Sequence, residues 1–161
     1  MQTKTAEAIA RRFEVLPRHH IDTAIFFESQ KGTKLGDACA SYLNRVGYNY
    51  RGEIALSVLG EFLLVTLRDI TQPENREMTL RIFDQILRKR KIEFAVAGPA
   101  TYRTALKLME LDPRIDGTDA LNYAVAVERN AESFVTLDEK LLGHEVLEKE
   151  FRVKIIHPMK L

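Results

Sequence analysis

Short apolar runs alternate along this chain with longer stretches in which apolar residues recur every three or four positions. The runs suit buried strands, and the longer spacing puts side chains on one helical face. Residues 5–16 carry Ala6, Ile9, Ala10, Phe13 and Leu16 on one stripe and predict a short amphipathic helix, ended by Pro17. A brief strand, HHI, follows and runs into Asp22. Leu35, Ala38, Cys39, Tyr42, Leu43 and Val46 predict a helix over 34–46, with Gly47 as its cap. Residues 53–59, EIALSVL, predict a buried strand, although so short a run also suits a helix. A helix over 61–70 follows Gly60.

After a break at TQPEN, Ile82, Phe83, Ile86 and Leu87 form the inner face of a helix over 76–91. IEFAVAG reads as a strand, 100–111 as a helix through Tyr102, Ala105, Leu106 and Met109, and DPRIDG as a loop. TDALNYAVAVERN is apolar on most sides and predicts a buried helix. SFVT is a strand, KLLGHEVLEKEF a short helical or irregular piece, and VKIIH the last strand. Strands alternating with helices require crossovers. The fold class is therefore three-layer α/β/α, with a central, mostly parallel sheet of four or five strands. Residues 1–17 form an N-terminal helical appendage to a single domain over 18–161.

Composition narrows this picture a little. With 161 residues, 45% hydrophobic and 29% charged, the chain has the make-up of an ordinary globular protein and the mass for a real core. One cysteine excludes a disulfide framework and a cysteine-rich zinc site. The most apolar stretch, IALSVLGEFLLVTL, is too short to span a membrane and has Glu61 in its middle. No signal-peptide pattern opens the chain, so a cytoplasmic location is expected. The net charge of +1 gives no hint of a nucleic-acid partner.

Candidate chemistry comes from the acids. In an open parallel sheet, ligands bind beyond the carboxyl ends of the strands. Asp22 ends the first strand, Glu61 opens the helix after the second, Asp119 opens the buried helix, and Asp138 lies past SFVT. Four carboxylates would thus meet at one sheet edge. They repel unless some are protonated or a cation sits among them. All-oxygen ligands suit Mg²⁺ or Mn²⁺, and such a site can cleave phosphodiesters.

Each acid also has a structural reading. Asp22 could close a turn, Glu61 and Asp119 could favour a helix dipole, and Asp138 could cap a helix starting at Glu139. Asp116 is a turn or cap residue, or a fifth acid. The run Arg88, Lys89, Arg90 and Lys91 is the densest basic stretch and, with Arg18, offers candidate phosphate contacts. A charge run at a helix end is more commonly a solvated cap. Adjacent strand residues face opposite ways, so at most one of His19 and His20 can face the site. His144 and His157 read as surface residues, and Cys39 as a small buried hydrophobe.

Four segments together resemble the PIN-domain family of metal-dependent nucleases: IDTAIFF (21–27), SVLGEFLL (57–64), TDALNYAVA (118–126) and FVTLDEKLL (134–142). The resemblance covers about residues 20–157. It implies that Asp22, Glu61, Asp119 and Asp138 are the acidic metal site. Thr136 then matches the hydroxyl beside the last acid, and Thr23 the one after the first. It further implies Mg²⁺ or Mn²⁺ dependence, single-stranded RNA as substrate, a homodimer and, for the toxin members, an antitoxin partner. The chain departs from the family at Ala24, where a small polar residue is usual, and in the two histidines of its first strand.

The expected function is a metal-dependent endoribonuclease. The alternative is a nucleic-acid-binding or scaffold protein with a weak or inactive site on the same fold. A receiver-like phosphoacceptor domain ranks lower, because it needs an acid pair on the first strand and a late lysine. The charge balance also changes meaning. If four of the 23 acids hold metal, 19 remain against 24 bases, an excess of five positive charges.

Overall fold

The computed structural model of the chain describes residues 14–161. Most of the helix expected over 5–16, and most of the 1–17 appendage, therefore lie outside the described residues. Five strands form one sheet: β1 (Arg18–Ile21), β2 (Arg51–Ala55), β3 (Glu93–Ala95), β4 (Ser133–Val135) and β5 (Lys154–Ile156). Their order is β3-β2-β1-β4-β5, and every pairing is parallel. The chain winds outward from β1 through β2 to β3, then returns to β4 on the other flank. The order reverses between β1 and β4, the place where a crevice opens in such sheets.

Two apolar cores cover the two faces. On one, α1 (Thr23–Glu28), α2 (Lys34–Arg45), α3 (Leu56–Asp69) and α4 (Pro73–Lys89) pack over the sheet through Phe26, Tyr42, Phe62 and Phe83. The Phe62 and Phe83 rings stack with centroids 3.9 Å apart. On the other, α5 (Pro99–Leu111), α6 (Gly117–Glu128) and α7 (Glu145–Phe151) pack through Leu108, Tyr123, Phe134 and Leu147. This is the three-layer α/β/α sandwich expected, with all five strands present.

Several boundaries differ from expectation. The apolar run 53–59 is not one strand. Ile54 and Ala55 bury from β2, whereas Val58 buries from α3 into the same core. One period-free run thus spans a strand–helix junction that its composition does not mark. Glu61 is consequently the sixth residue of α3 and not in its first turn, so the dipole reading of Glu61 fails. Residues 23–28 form α1, which was not anticipated; Asp22 caps it by accepting from Thr23 N at 2.7 Å. Asp138 caps no helix, because residues 139–143 make turns and α7 begins only at Glu145.

The histidines of β1 are buried for separate reasons. His19 stacks on Tyr50 at 4.0 Å and meets the Tyr42 hydroxyl at 3.3 Å. His20 faces the opposite side, next to Phe134, and its Nδ1 lies 3.2 Å from Glu53. Register puts His20 level with Glu53 on β2 and Phe134 on β4, so a polar row crosses the sheet beneath α6. Arg129, at the end of α6, closes the row with a 2.7 Å bond to Glu53.

Candidate active site

The four acids anticipated from the sequence line one open cavity of about 280 Å³, together with Thr23, Ala24, Leu137 and Lys140. It lies at the carboxyl edge, beyond the ends of β1 and β4. Four separate segments supply the carboxylates.

Asp22 follows β1 directly, and its backbone N–H still bonds to Val135 of β4 at 3.0 Å. It is 7% exposed. One carboxylate oxygen accepts from Thr23 N, and the other accepts from the fully buried Thr136 hydroxyl at 2.7 Å. The same Thr136 oxygen accepts from Asp138 N at 3.0 Å. One hydroxyl therefore ties the first acid to the backbone that carries the last. Thr23 donates its hydroxyl to Glu61 at 2.6 Å and so ties this acid of α3 to the start of α1.

Asp138 turns its Oδ1 back to Lys140 N at 2.9 Å. Its Oδ2 is buried and has no hydrogen-bond partner. Asp116 caps α6, accepting from Thr118 N and Asp119 N, so it is a cap and not a lining acid of the cavity. The cap sets the first turn of α6, and that turn presents Asp119.

Burial and mutual repulsion raise proton affinities here. Burial pushes Asp22 up to about 6, against the hydrogen bonds from Thr136 and Thr23 and with the help of the Glu61 and Asp138 charges. Burial, then the charges of Asp116, Asp22 and Asp138, push Asp119 up to about 8. The Asp119 N–H holds Asp116 below its ordinary value. The two acids compete for one proton, and Asp119 keeps it.

A helix-to-helix contact that sequence reasoning missed supports this arrangement. Ser57 donates to Asn122 Oδ1 at 2.6 Å and joins α3 to α6. Ser57 lies one turn before Glu61, and Asn122 lies one turn after Asp119. A polar residue at helical spacing from each acid was the signal available. Asn122 is fully buried, and its amide nitrogen has no partner.

The anticipated phosphate contacts sit elsewhere. Arg18 starts β1, bonds to the Arg129 carbonyl and lies 4.0 Å from Glu53. Arg88 and Lys89 end α4 just before β3, with Arg90 and Lys91 beyond them. Both groups therefore lie at the amino edge of the sheet, a strand length from the acids. Arg88 pairs with Asp84 at 2.8 Å, and Arg90 bonds to Asn44 and stands over the Tyr48 ring. The run 88–91 is thus the charged helix end that its spacing suggested, and not a set of phosphate contacts beside the acids. His19, His20, His144 and His157 do not line the cavity, and His144 is held by Asp112 at 3.2 Å. Cys39 is buried, as expected.

The donor set is four carboxylates with no nitrogen or sulfur, which suits a hard divalent cation. The unpartnered Asp138 Oδ2 and the proton-hungry Asp119 are the atoms such a cation would satisfy. As placed, no three acidic, His or Cys side chains among the described residues stand close enough to one point to hold an ion.

No protein-family model matches the sequence, and no curated protein does. Solved structures do match in fold. A chain of VapBC2 from Rickettsia felis, bound to a DNA fragment from their promoter, is 20% identical with a TM-score of 0.63, over 87% of this chain and 98% of that one. A chain of FitAcB from Neisseria gonorrhoeae is 15% identical with a TM-score of 0.64, over 89% of this chain and 99% of that one. FitAB bound to an IR36 DNA fragment gives 12% identity and a TM-score of 0.62, over 89% and 96%. The chain thus has the PIN-like α/β/α fold that its four motifs resemble.

Proposed function

We propose that this chain is a divalent-metal-dependent endoribonuclease that cleaves phosphodiester bonds of single-stranded RNA. The observation that carries the reading is the meeting of Asp22, Glu61, Asp119 and Asp138, from four separate segments, around one cavity at the sheet's switch point. A structural role for each acid alone does not explain why burial and repulsion are tolerated there together.

Those four carboxylates would hold Mg²⁺ or Mn²⁺. When bound, such an ion neutralises the cluster, polarises a phosphoryl oxygen and acidifies a water. The chain's own residues do the rest. Thr136 and the Thr23 N–H keep Asp22 in one orientation, and the Thr23 hydroxyl does the same for Glu61. The Ser57–Asn122 bond sets the separation of the helices that carry Glu61 and Asp119. These contacts spare the acids a costly reorganisation at the moment of reaction.

Partners belong to the same proposal. The neighbouring structures are toxin–antitoxin complexes, which supports an antitoxin protein as partner for this chain and a toxin role. A homodimer is part of the same proposal. No described helix is long and apolar enough to cross a membrane.

A second reading, a nucleic-acid-binding module with a silent site, draws on the lack of three converging ligand side chains. Metal titration separates the two. An active site raises the melting temperature with Mn²⁺ and cleaves single-stranded RNA, and Asp119→Asn abolishes both. A wild-type protein that shows neither belongs to the second reading.

A further inference from the structure

The acidic cavity has one cationic lining residue, Lys140, and that residue also lines a neighbouring groove with Arg114, Leu142, Gly143 and His144. The two depressions are therefore continuous through the Lys140 side chain. We propose that this groove is the track along which the backbone phosphates of the RNA strand leave the acidic cavity, with Lys140 on the phosphate next to the scissile one and Arg114 beyond it. The proposal rests on the nuclease reading for the place of cleavage, but it concerns different residues.

Three features of the chain carry it. First, the cations are built into the segments that supply the acids. Lys140 is two residues after Asp138, and Arg114 is five residues before Asp119. One segment sends Asp138 and Lys140 into the cavity; the other sends Asp119 into the cavity and Arg114 into the groove.

Second, Arg114 is held in a fixed pose. The carboxylate of Asp112, only 6% exposed as a residue, takes Arg114 Nε at 2.9 Å and one terminal nitrogen at 2.6 Å. The Arg114 side chain itself is 73% exposed. A guanidinium has five N–H donors, and a two-point carboxylate grip leaves the others for an anion. His144 buttresses the same carboxylate from the other side at 3.2 Å. The guanidinium holds Asp112 well below the usual carboxylate range, so this grip persists throughout the working pH range.

Third, the alternatives are elsewhere. The dense basic run at 88–91 and Arg18 lie at the amino edge, so they cannot follow a strand out of the cavity. The acids Glu139 and Glu145 also line the groove and balance its two cations, so the loss of either cation leaves the lining net negative.

The test is fluorescence polarisation of a labelled single-stranded oligoribonucleotide against the full chain, in EDTA to arrest metal-dependent cleavage, over a series of salt concentrations. Lys140→Gln and Arg114→Gln should each weaken binding three- to tenfold and flatten the slope of log affinity against log salt by about 0.7 per lost contact. Lys140→Glu should weaken it further, and Arg88→Gln at the opposite edge should bind as wild type. Lys140 lies on an exposed turn, so its variants fold even if the Arg114 change disturbs Asp112. Wild-type affinity and slope in both Lys140 variants, equal weakening by Arg88→Gln, or no binding by the wild type would each overturn the track. A wild type that binds RNA through Lys140 yet never cleaves with Mn²⁺ would instead overturn the nuclease reading and leave the track standing.

Discussion

Asp119 holds a proton that the unfolded chain releases, and Asp119→Asn should expose this as a change in the pH dependence of stability. In the fold its pKa is raised from the usual 3.8 to about 8. An acid that binds its proton more tightly when folded makes stability fall as pH rises between its two values. Asp22, raised to about 6, acts the same way over a shorter span. His19, lowered by burial to about 4, and the buried His20, also lowered, act oppositely up to about pH 6.5. Below pH 6.5 the two pairs oppose each other. Between about 6.5 and 8, Asp119 alone of these four groups remains. One proton over that span changes stability by at most about 2 kcal/mol. Partial solvent access to Asp119 brings this to about 1 kcal/mol, or about 3 °C in melting temperature. Thermal denaturation of wild type and Asp119→Asn in EDTA, at pH 6.5 and 8, checks it. The wild type should lose about 3 °C across the interval and the variant nearly none. Parallel losses in both proteins would refute the claim that repulsion and burial load this site.

Other consequences are more local. Thr136→Val removes the donor to Asp22 Oδ2; it should cost about 1–3 kcal/mol in urea denaturation and move Mn²⁺ binding, followed by calorimetry, to higher pH. Glu53→Gln breaks the buried row with His20 and Arg129; a loss of about 3–5 kcal/mol with Mn²⁺ affinity unchanged would show that the amino-edge network is structural. Asn122→Ala leaves the Ser57 hydroxyl without its acceptor; about 1–3 kcal/mol should be lost, and Mn²⁺ affinity should fall as well if the bond sets the spacing of Glu61 and Asp119.

Much of the architecture was legible because its signals are local. The helix at 34–46 follows an apolar stripe that packs on one sheet face; the helix at 100–111 is present, but it buries Thr101, Ala105 and Leu108 while Tyr102, Leu106 and Met109 of the expected stripe are exposed. DPRIDG and TQPEN mark real breaks. The four acids were legible because strand ends can be found in sequence, and parallel topology brings carboxyl ends together. What sequence hid depends on pairing across distance. The run 53–59 crosses from strand to helix without a change in composition, since both halves feed one core. His19 and His20 find their partners only in the fold, the first in Tyr42 and Tyr50 and the second in Glu53, which Arg129 also holds. The basic run 88–91 was visible, but its position at the end of α4 puts it at the edge opposite the acids. Lys140 and Arg114, close in sequence to Asp138 and Asp119, drew no notice because isolated cations have no periodicity.

The central claim is that four carboxylates form a metal site that cleaves RNA. Its most direct test is cleavage of a labelled single-stranded RNA by wild type and Asp119→Asn, with EDTA, Mg²⁺ or Mn²⁺, alongside the melting temperature in the same buffers. The account predicts cuts by the wild type only with Mg²⁺ or Mn²⁺, a rise in melting temperature with Mn²⁺, and neither in the variant. RNA left intact and a melting temperature indifferent to Mn²⁺ in the wild type would contradict it.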